Sequence, residues 1–109
     1  MRLRNVLFVC SRNRLRSPTA EQVFANRDGL EVASAGLDPA CGNPVTREMV
    51  EWADLIFVME KRHRTKLQRQ FRDHLRTARV ICLDIPDDYA FMDPDLVRIL
   101  EARVPPHLR

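Results

Sequence analysis

The residues from Val6 to Glu21 (Val-Leu-Phe-Val-Cys-Ser-Arg-Asn-Arg-Leu-Arg-Ser-Pro-Thr-Ala-Glu) constrain the fold more than any other stretch of this 109-residue chain. Val6 to Val9 is a short run of β-formers without a polar residue, the pattern of a buried strand. Ser17 then stands where a helix N-cap would, and Pro18 where the first helical residue would. The loop between them, Cys10 to Arg16, turns several backbone N–H groups into one concavity, and the dipole of the following helix adds to its attraction for an anion. Positive potential in such a loop favours the thiolate form of a cysteine at its base. Arg16, at the far end, can grip two phosphate oxygens at once. This is the anatomy of a cysteine nucleophile presented to phosphorus.

The rest of the chain repeats strand and helix signals in alternation. After a charged lead-in over residues 1–4, the first strand covers Asn5 to Val9. The first helix places Ala20, Val23 and Phe24 on one face, and Asp28-Gly29 is expected to stop it. Leu30 to Ala35 reads as a second strand closed by Gly36, and Leu37 to Asn43 as a loop. Asn43-Pro44 should open a second helix with Val45, Met49, Trp52 and Ala53 on its buried stripe. Asp54 to Met59 contains the fully apolar run of a third strand. Glu60 to Phe71 is a basic amphipathic helix with Leu67 and Phe71 inward. Arg79 to Leu83 is a fourth strand, followed by an acidic loop from Asp84 to Met92. Asp93-Pro94-Asp95 supplies an N-cap and first helical turn, and the last helix turns Leu96, Ile99, Leu100 and Val104 inward before Pro105-Pro106 stops it.

This alternation predicts an α/β fold: one domain spanning 1–109, with a doubly wound parallel sheet covered by helices on both faces. Ligands in such sheets bind beyond the carboxyl ends of the strands, at the switch in strand order. The Cys10 loop and the Asp84 to Met92 loop both follow strand carboxyl ends, so they open on the same edge although far apart in sequence. A formal net charge of +3 suits anionic partners such as phosphoproteins, and supports nucleic acid only weakly. No apolar run approaches the ~20 residues of a membrane helix, and no signal-peptide pattern is visible. A cytoplasmic protein without a membrane partner is therefore expected. Three widely spaced cysteines make neither a disulfide framework nor a zinc site.

The spacing Cys-x5-Arg does not by itself identify the site, because sixteen arginines are present and Cys41 to Arg47 fits it too. Context separates the two. Cys41 follows loop residues rather than a strand, and Pro44 within its candidate cradle has no N–H to offer. Cys41 is expected to be a plain loop thiol and Cys82 a small buried hydrophobe.

Val-Cys10-x-x-Asn13-x-x-Arg16-Ser17-Pro18-x-Ala20-Glu21 resembles the active-site signature of the low-molecular-weight protein tyrosine phosphatases. Ser34-Ala35-Gly36, Ala53-Asp54-Leu55-Ile56 through Met59-Glu60, and Pro86-Asp87-x-Tyr89 match that family in the same order. The resemblance implies a four-stranded parallel sheet in the order 2-1-3-4, no metal or other cofactor, and two-step hydrolysis of a phosphate monoester, with protein phosphotyrosine the expected substrate. Cys10 would be the nucleophile, Arg16 the phosphate clamp and Asp87 the general acid. Ser11, Arg12, Asn13, Arg14 and Leu15 would form the phosphate cradle, with Asn13 holding its unusual backbone shape. Ser17 would donate its hydroxyl to the thiolate, a role that competes with N-capping, and Ser34 would brace Asn13. Asp84 and Asp88 are alternatives to Asp87 as the acid; Asp93 is better explained as a cap. Tyr89 and Phe91 could wall a flat substrate or simply pack the loop.

Two departures from the family pattern bear on substrate. The loop carries Arg12 and Leu15 where the family has glycine and a second cysteine. The segment between Gly36 and Ala53 is also short, and no match is found there for the histidine that supports the family's active-site network. A shallower, more open pocket is expected, able to take larger anions such as phosphorylated RNA. Other readings keep the fold and change the chemistry. Arsenate reduction would need relay cysteines, but Met59 stands where the related reductases carry one. A non-catalytic phosphate-binding module would leave the Cys, Arg and Ser unexplained.

Overall fold

The computed structural model describes residues 3–75 and 78–108. Four parallel strands, β1 (Arg4–Cys10), β2 (Leu30–Gly36), β3 (Leu55–Val58) and β4 (Arg79–Cys82), form one sheet in the order β2-β1-β3-β4. Four helices connect and follow them: α1 (Arg16–Phe24), α2 (Arg47–Trp52), α3 (Lys61–Phe71) and α4 (Pro94–Arg103). The chain leaves β1 for β2 on one side and returns to β3 on the other, so the switch in strand order falls between β1 and β3. Cys10 closes β1, directly at that switch. The part of the expected lead-in that falls on Met1 and Arg2 lies outside the described residues.

β1 is buried on both faces, and its alternation divides the core. Val6, Phe8 and Cys10 face a cluster completed by Ala20 and Phe24 of α1 and Leu96 and Leu100 of α4. There Phe8 stacks between Phe24 and Phe57, with ring centroids 5.8 and 5.4 Å away. Leu7 and Val9 face the other cluster, completed by Val50 of α2 and Leu67 of α3. Helices therefore cover both faces of the sheet.

Two boundaries and the burial of two side chains differ from the sequence reading. α1 ends at Phe24 rather than at Asp28-Gly29. Gly29, at φ +84°, makes the turn into β2, and its carbonyl accepts from Arg4 N. α2 begins at Arg47, capped by the Thr46 side chain, because Pro44 is held in a bridge to Gly36. The later start changes which residue points inward. Val50 is the buried one, while Trp52 lies 36% exposed at the helix end. Cys82 is only half-buried, with Sγ 3.7 Å from Asp84 Oδ1. The expected cap of α4 is present: Asp93 accepts from Asp95 N at 2.9 Å, with Pro94 at the first helical position.

Candidate active site

The loop from Ser11 to Leu15 leaves the carboxyl end of β1 and is fastened along one side. Leu37 N donates to Cys10 O at 3.0 Å and Asp38 N donates to Ser11 O at 2.8 Å. Among the described residues, no backbone carbonyl accepts from the N–H groups of Arg12 to Leu15. Those donors remain for a bound anion. Asn13 sits at φ 55°, a conformation Asn tolerates better than most residues.

Ser17 does not cap α1. The helix starts at Arg16, with Leu15 at the N-cap position and no side-chain cap. Pro18 is thus the third helical residue, where its missing N–H still costs no intrahelical bond. Freed from capping, the Ser17 hydroxyl lies 2.9 Å from Cys10 Sγ and accepts from Asn13 Nδ2, also at 2.9 Å. Because the oxygen already accepts from Asn13, its own proton is free to be directed at sulfur. Cys10 is 3% exposed and Ser17 fully buried, so few waters compete for that bond.

Ser34 does not brace Asn13 directly, because its hydroxyl donates to the Glu21 carboxylate on α1. Its carbonyl does the work through Asn43, whose Nδ2 donates to Ser34 O at 2.6 Å and approaches Asn13 Oδ1 at 3.4 Å. Glycine at 36 is what lets the two segments come this close. A Cβ there would lie 2.7 Å from Cys41 Sγ, 2.9 Å from Arg12 C and 3.0 Å from Asn13 N. Cys41 is therefore packed behind the loop rather than set in a cradle of its own.

Arg16 is 2% exposed, and its guanidinium is fixed from the strand ends. Nη1 donates to Glu60 Oε2 at 2.6 Å and to Ile85 O at 2.8 Å. The Ile85 backbone is itself tied down, its N donating to Met59 O at 2.8 Å. Asp87, two residues further on, approaches Arg16 Nε to 3.6 Å and is 60% exposed. Among the described residues Nη2 has no protein partner, so the Nε–Nη2 edge is left to face an anion.

Glu60 enters the sequence reading only as the end of the Ala53 to Glu60 match and the start of the basic helix, and His63 not by name, yet both hold the loop from the start of α3. Glu60 N donates to His63 Nδ1 at 3.1 Å, and His63 Nε2 lies 2.9 Å from Ser11 Oγ. The Glu60 carboxyl is lowered to about 2, chiefly by its hydrogen bonds to Arg62 and Arg16. His63 is 2% exposed and its pKa is lowered to about 4, first by burial and then by the charges of Arg16 and Arg62. The ring is thus neutral near pH 7. Nδ1 accepts, so Nε2 carries the proton and donates to Ser11. A helix stripe of 63, 67 and 71 was visible in the sequence through Leu67 and Phe71, and it places His63 on the inward face.

Cys10, Ser11, Arg12, Arg14, Leu15, Arg16, Arg62 and Asp87 line a cavity of about 570 Å³. Tyr89 and Phe91 are not among its walls. Tyr89 packs against the core cluster beside α4, and Phe91 is 51% exposed. The loop that carries them turns away at Met92, whose N donates to the buried Thr19 Oγ1 at 2.9 Å. Leu15 is the apolar side chain at the mouth, beside Arg12, Arg14 and Arg62. Among the described residues, no group of three or more His, Cys, Asp or Glu side chains is placed to hold a metal ion. No described helix is long and apolar enough to cross a membrane.

The switch point of this parallel α/β sheet carries a buried thiol, a loop whose N–H groups can receive an anion, and a fixed guanidinium. The known proteins it resembles are phosphatases. A sequence model of the low molecular weight phosphotyrosine protein phosphatase family matches residues 5–53. The protein-arginine-phosphatase of Bacillus subtilis (strain 168) is 31% identical over 94 residues, covering 62% of this chain. The match spans 63% of that relative's length. Among solved structures, the YwlE arginine phosphatase from Geobacillus stearothermophilus superposes with a TM-score of 0.75 at 21% identity, covering 96% of this chain and 92% of that one. The tyrosine phosphatase amsI of Erwinia amylovora gives 0.72 at 23% identity, covering 93% and 88%. Over residues 5–53 the chain is similar to the low molecular weight phosphotyrosine protein phosphatases, and it shares the fold of the solved phosphatases.

Proposed function

We propose that this protein is a cysteine-dependent phosphatase that hydrolyses phosphate monoesters on proteins through a cysteinyl-phosphate intermediate. The observation that carries the reading is the pairing of Cys10 Sγ with Ser17 Oγ at 2.9 Å, in one cavity with Arg16 and Asp87. The phosphoryl group sits on the N–H groups of the 11–15 loop and on the Nε–Nη2 edge of Arg16. The Cys10 thiolate attacks phosphorus in line with the leaving oxygen, and Asp87 donates a proton to that oxygen as the P–O bond breaks. Asp87, now a carboxylate, takes a proton from water, which attacks the thiophosphate and releases inorganic phosphate. The Ser17 proton then stabilises the departing thiolate.

Phosphotyrosine suits the cavity better than phosphoarginine. Arg12, Arg14 and Arg62 ring the mouth against the single carboxylate of Asp87, and they repel the guanidinium that phosphoarginine retains. The likeness to a protein-arginine-phosphatase favours the second substrate, so the two are compared directly. A cytoplasmic location fits the free thiols Cys10, Cys41 and Cys82. The deciding test is hydrolysis of p-nitrophenyl phosphate in EDTA by wild type and by Cys10→Ser, followed by matched phosphotyrosine and phosphoarginine peptides. Loss of turnover in the variant is expected, and full activity in it would refute the mechanism.

A further inference from the structure

Beside the catalytic cavity lies a second one of about 210 Å³, lined by Ser11, Arg12, Leu37, Asp38, Arg62, His63 and Lys66. It has room for about seven waters. Ser11, Arg12 and Arg62 also line the catalytic cavity, so the two adjoin at the loop. Its charge is lopsided. Arg62 and Lys66 stand one turn apart on α3, and Arg12 faces them from the loop. His63 forms part of the lining and is neutral near pH 7. Asp38 is the one carboxylate in the lining. It is occupied on its own turn, with Oδ1 accepting from Ala40 N at 2.9 Å and Oδ2 only 3.9 Å from Arg12 Nε. Arg62 is shared with Glu60 at 3.1 Å. Among the described residues Lys66 has no ion-pair partner.

We infer that this second cavity is a subsite for a carboxylate flanking the phosphorylated residue of the substrate protein. The inference rests on the phosphatase reading and deepens it. A phosphoryl group seated over Cys10 directs one neighbouring side chain across Ser11 and Arg12 toward Lys66. An acidic neighbour meets three cations there, and a basic one meets repulsion. The second cavity therefore selects acidic sequence around the target residue.

The test uses three phosphotyrosine peptides that differ only in the flanking residue, Glu, Ala or Lys, with wild type and Lys66→Glu. For wild type at low salt, kcat/KM should fall in the order Glu, Ala, Lys, by about three- to fivefold per step, and the differences should shrink as salt is raised. In Lys66→Glu the order should flatten or reverse. A wild-type rate indifferent to the flank, or an order unchanged by Lys66→Glu, overturns the subsite. So does a 5′-phosphorylated oligonucleotide that is hydrolysed better than the Glu peptide in a Lys66-dependent manner. Binding of the same peptides to Cys10→Ser, read by fluorescence anisotropy, separates the two layers of the argument. Flank-dependent binding with no turnover by wild type keeps the subsite and refutes the hydrolase, and turnover without flank dependence does the reverse.

Discussion

Acidification should loosen this fold through one residue, His63, before it loosens it through any carboxylate. The ring is 2% exposed and faces Arg16 and Arg62, with the carboxylates of Glu60 and Asp87 opposing them more weakly, and its pKa is lowered from 6.5 to about 4. In the unfolded chain it titrates at its ordinary value. Above about pH 6.5 the ring is neutral in both states and contributes no pH dependence. As the pH falls from about 6.5 to about 4, the unfolded chain takes up a proton that the folded protein refuses, so stability declines. Below about 4 both states are protonated and the decline levels off. At ~1.4 kcal/mol per decade of proton affinity, the full loss is about 3 kcal/mol. Glu60 is shifted in the same direction, from 4.5 to about 2, so its contribution is intact above about 4.5 and is lost only as the pH drops further. The assay is urea unfolding at several pH values for wild type and His63→Gln. Glutamine keeps a donor for Ser11 Oγ and removes the titration. The wild type should lose about 3 kcal/mol relative to the variant between pH 6.5 and 4. Parallel curves across that window would refute the argument that burial and the two arginines keep the ring neutral.

Two further outcomes follow from the packing of the loop. Gly36→Ala should cost about 1–3 kcal/mol of stability and should reduce turnover further than that loss explains, measured as p-nitrophenyl phosphate kcat beside the melting temperature. The added Cβ presses on Arg12 C and Asn13 N as well as on Cys41 Sγ, so adding Cys41→Ala should not restore activity; restoration would show that the thiol, not the loop backbone, sets the limit. Asp87→Asn should slow alkyl phosphates more than p-nitrophenyl phosphate, since only the poorer leaving group needs a proton in the transition state. An unchanged ratio would move the acid to Asp84 or Asp88.

What was legible in the sequence was local. The Val6 to Val9 run marks the central strand, and Asp93-Pro94-Asp95 marks a helix start, because each pattern is set by residues within one turn or one strand of each other. Ser17-Pro18 shows the limit of that logic. The two residues satisfy the pattern of a cap, and a cap would satisfy their local hydrogen bonding. The buried sulfur seven positions earlier and the Asn13 amide offer the hydroxyl better partners, so α1 starts one residue before it without a side-chain cap. Trp52 was misplaced for a similar reason. Its apolar ring suggested the core, but the Gly36–Pro44 bridge delays α2 and turns Val50 inward instead.

What was not legible is the support of the loop from a distance. Ser11 finds His63, Arg16 finds Glu60 and Ile85, and Asn13 finds Ser34 only through Asn43. No periodicity records such pairs, because each joins elements that meet only when the sheet is assembled. They share one physical cause. β3 lies between β1 and β4, so its carboxyl end, and with it the start of α3, lies beside the end of β1. A helix that begins there must place its first turn against whatever leaves β1. Glu60 at its N-cap and His63 one turn in are the residues so placed. The same geometry brings Arg62 and Lys66 to the outer side of the loop. The strand order that fixes the nucleophile thus also supplies the cations of the second cavity, and the substrate preference proposed for this protein is a consequence of where α3 has to start.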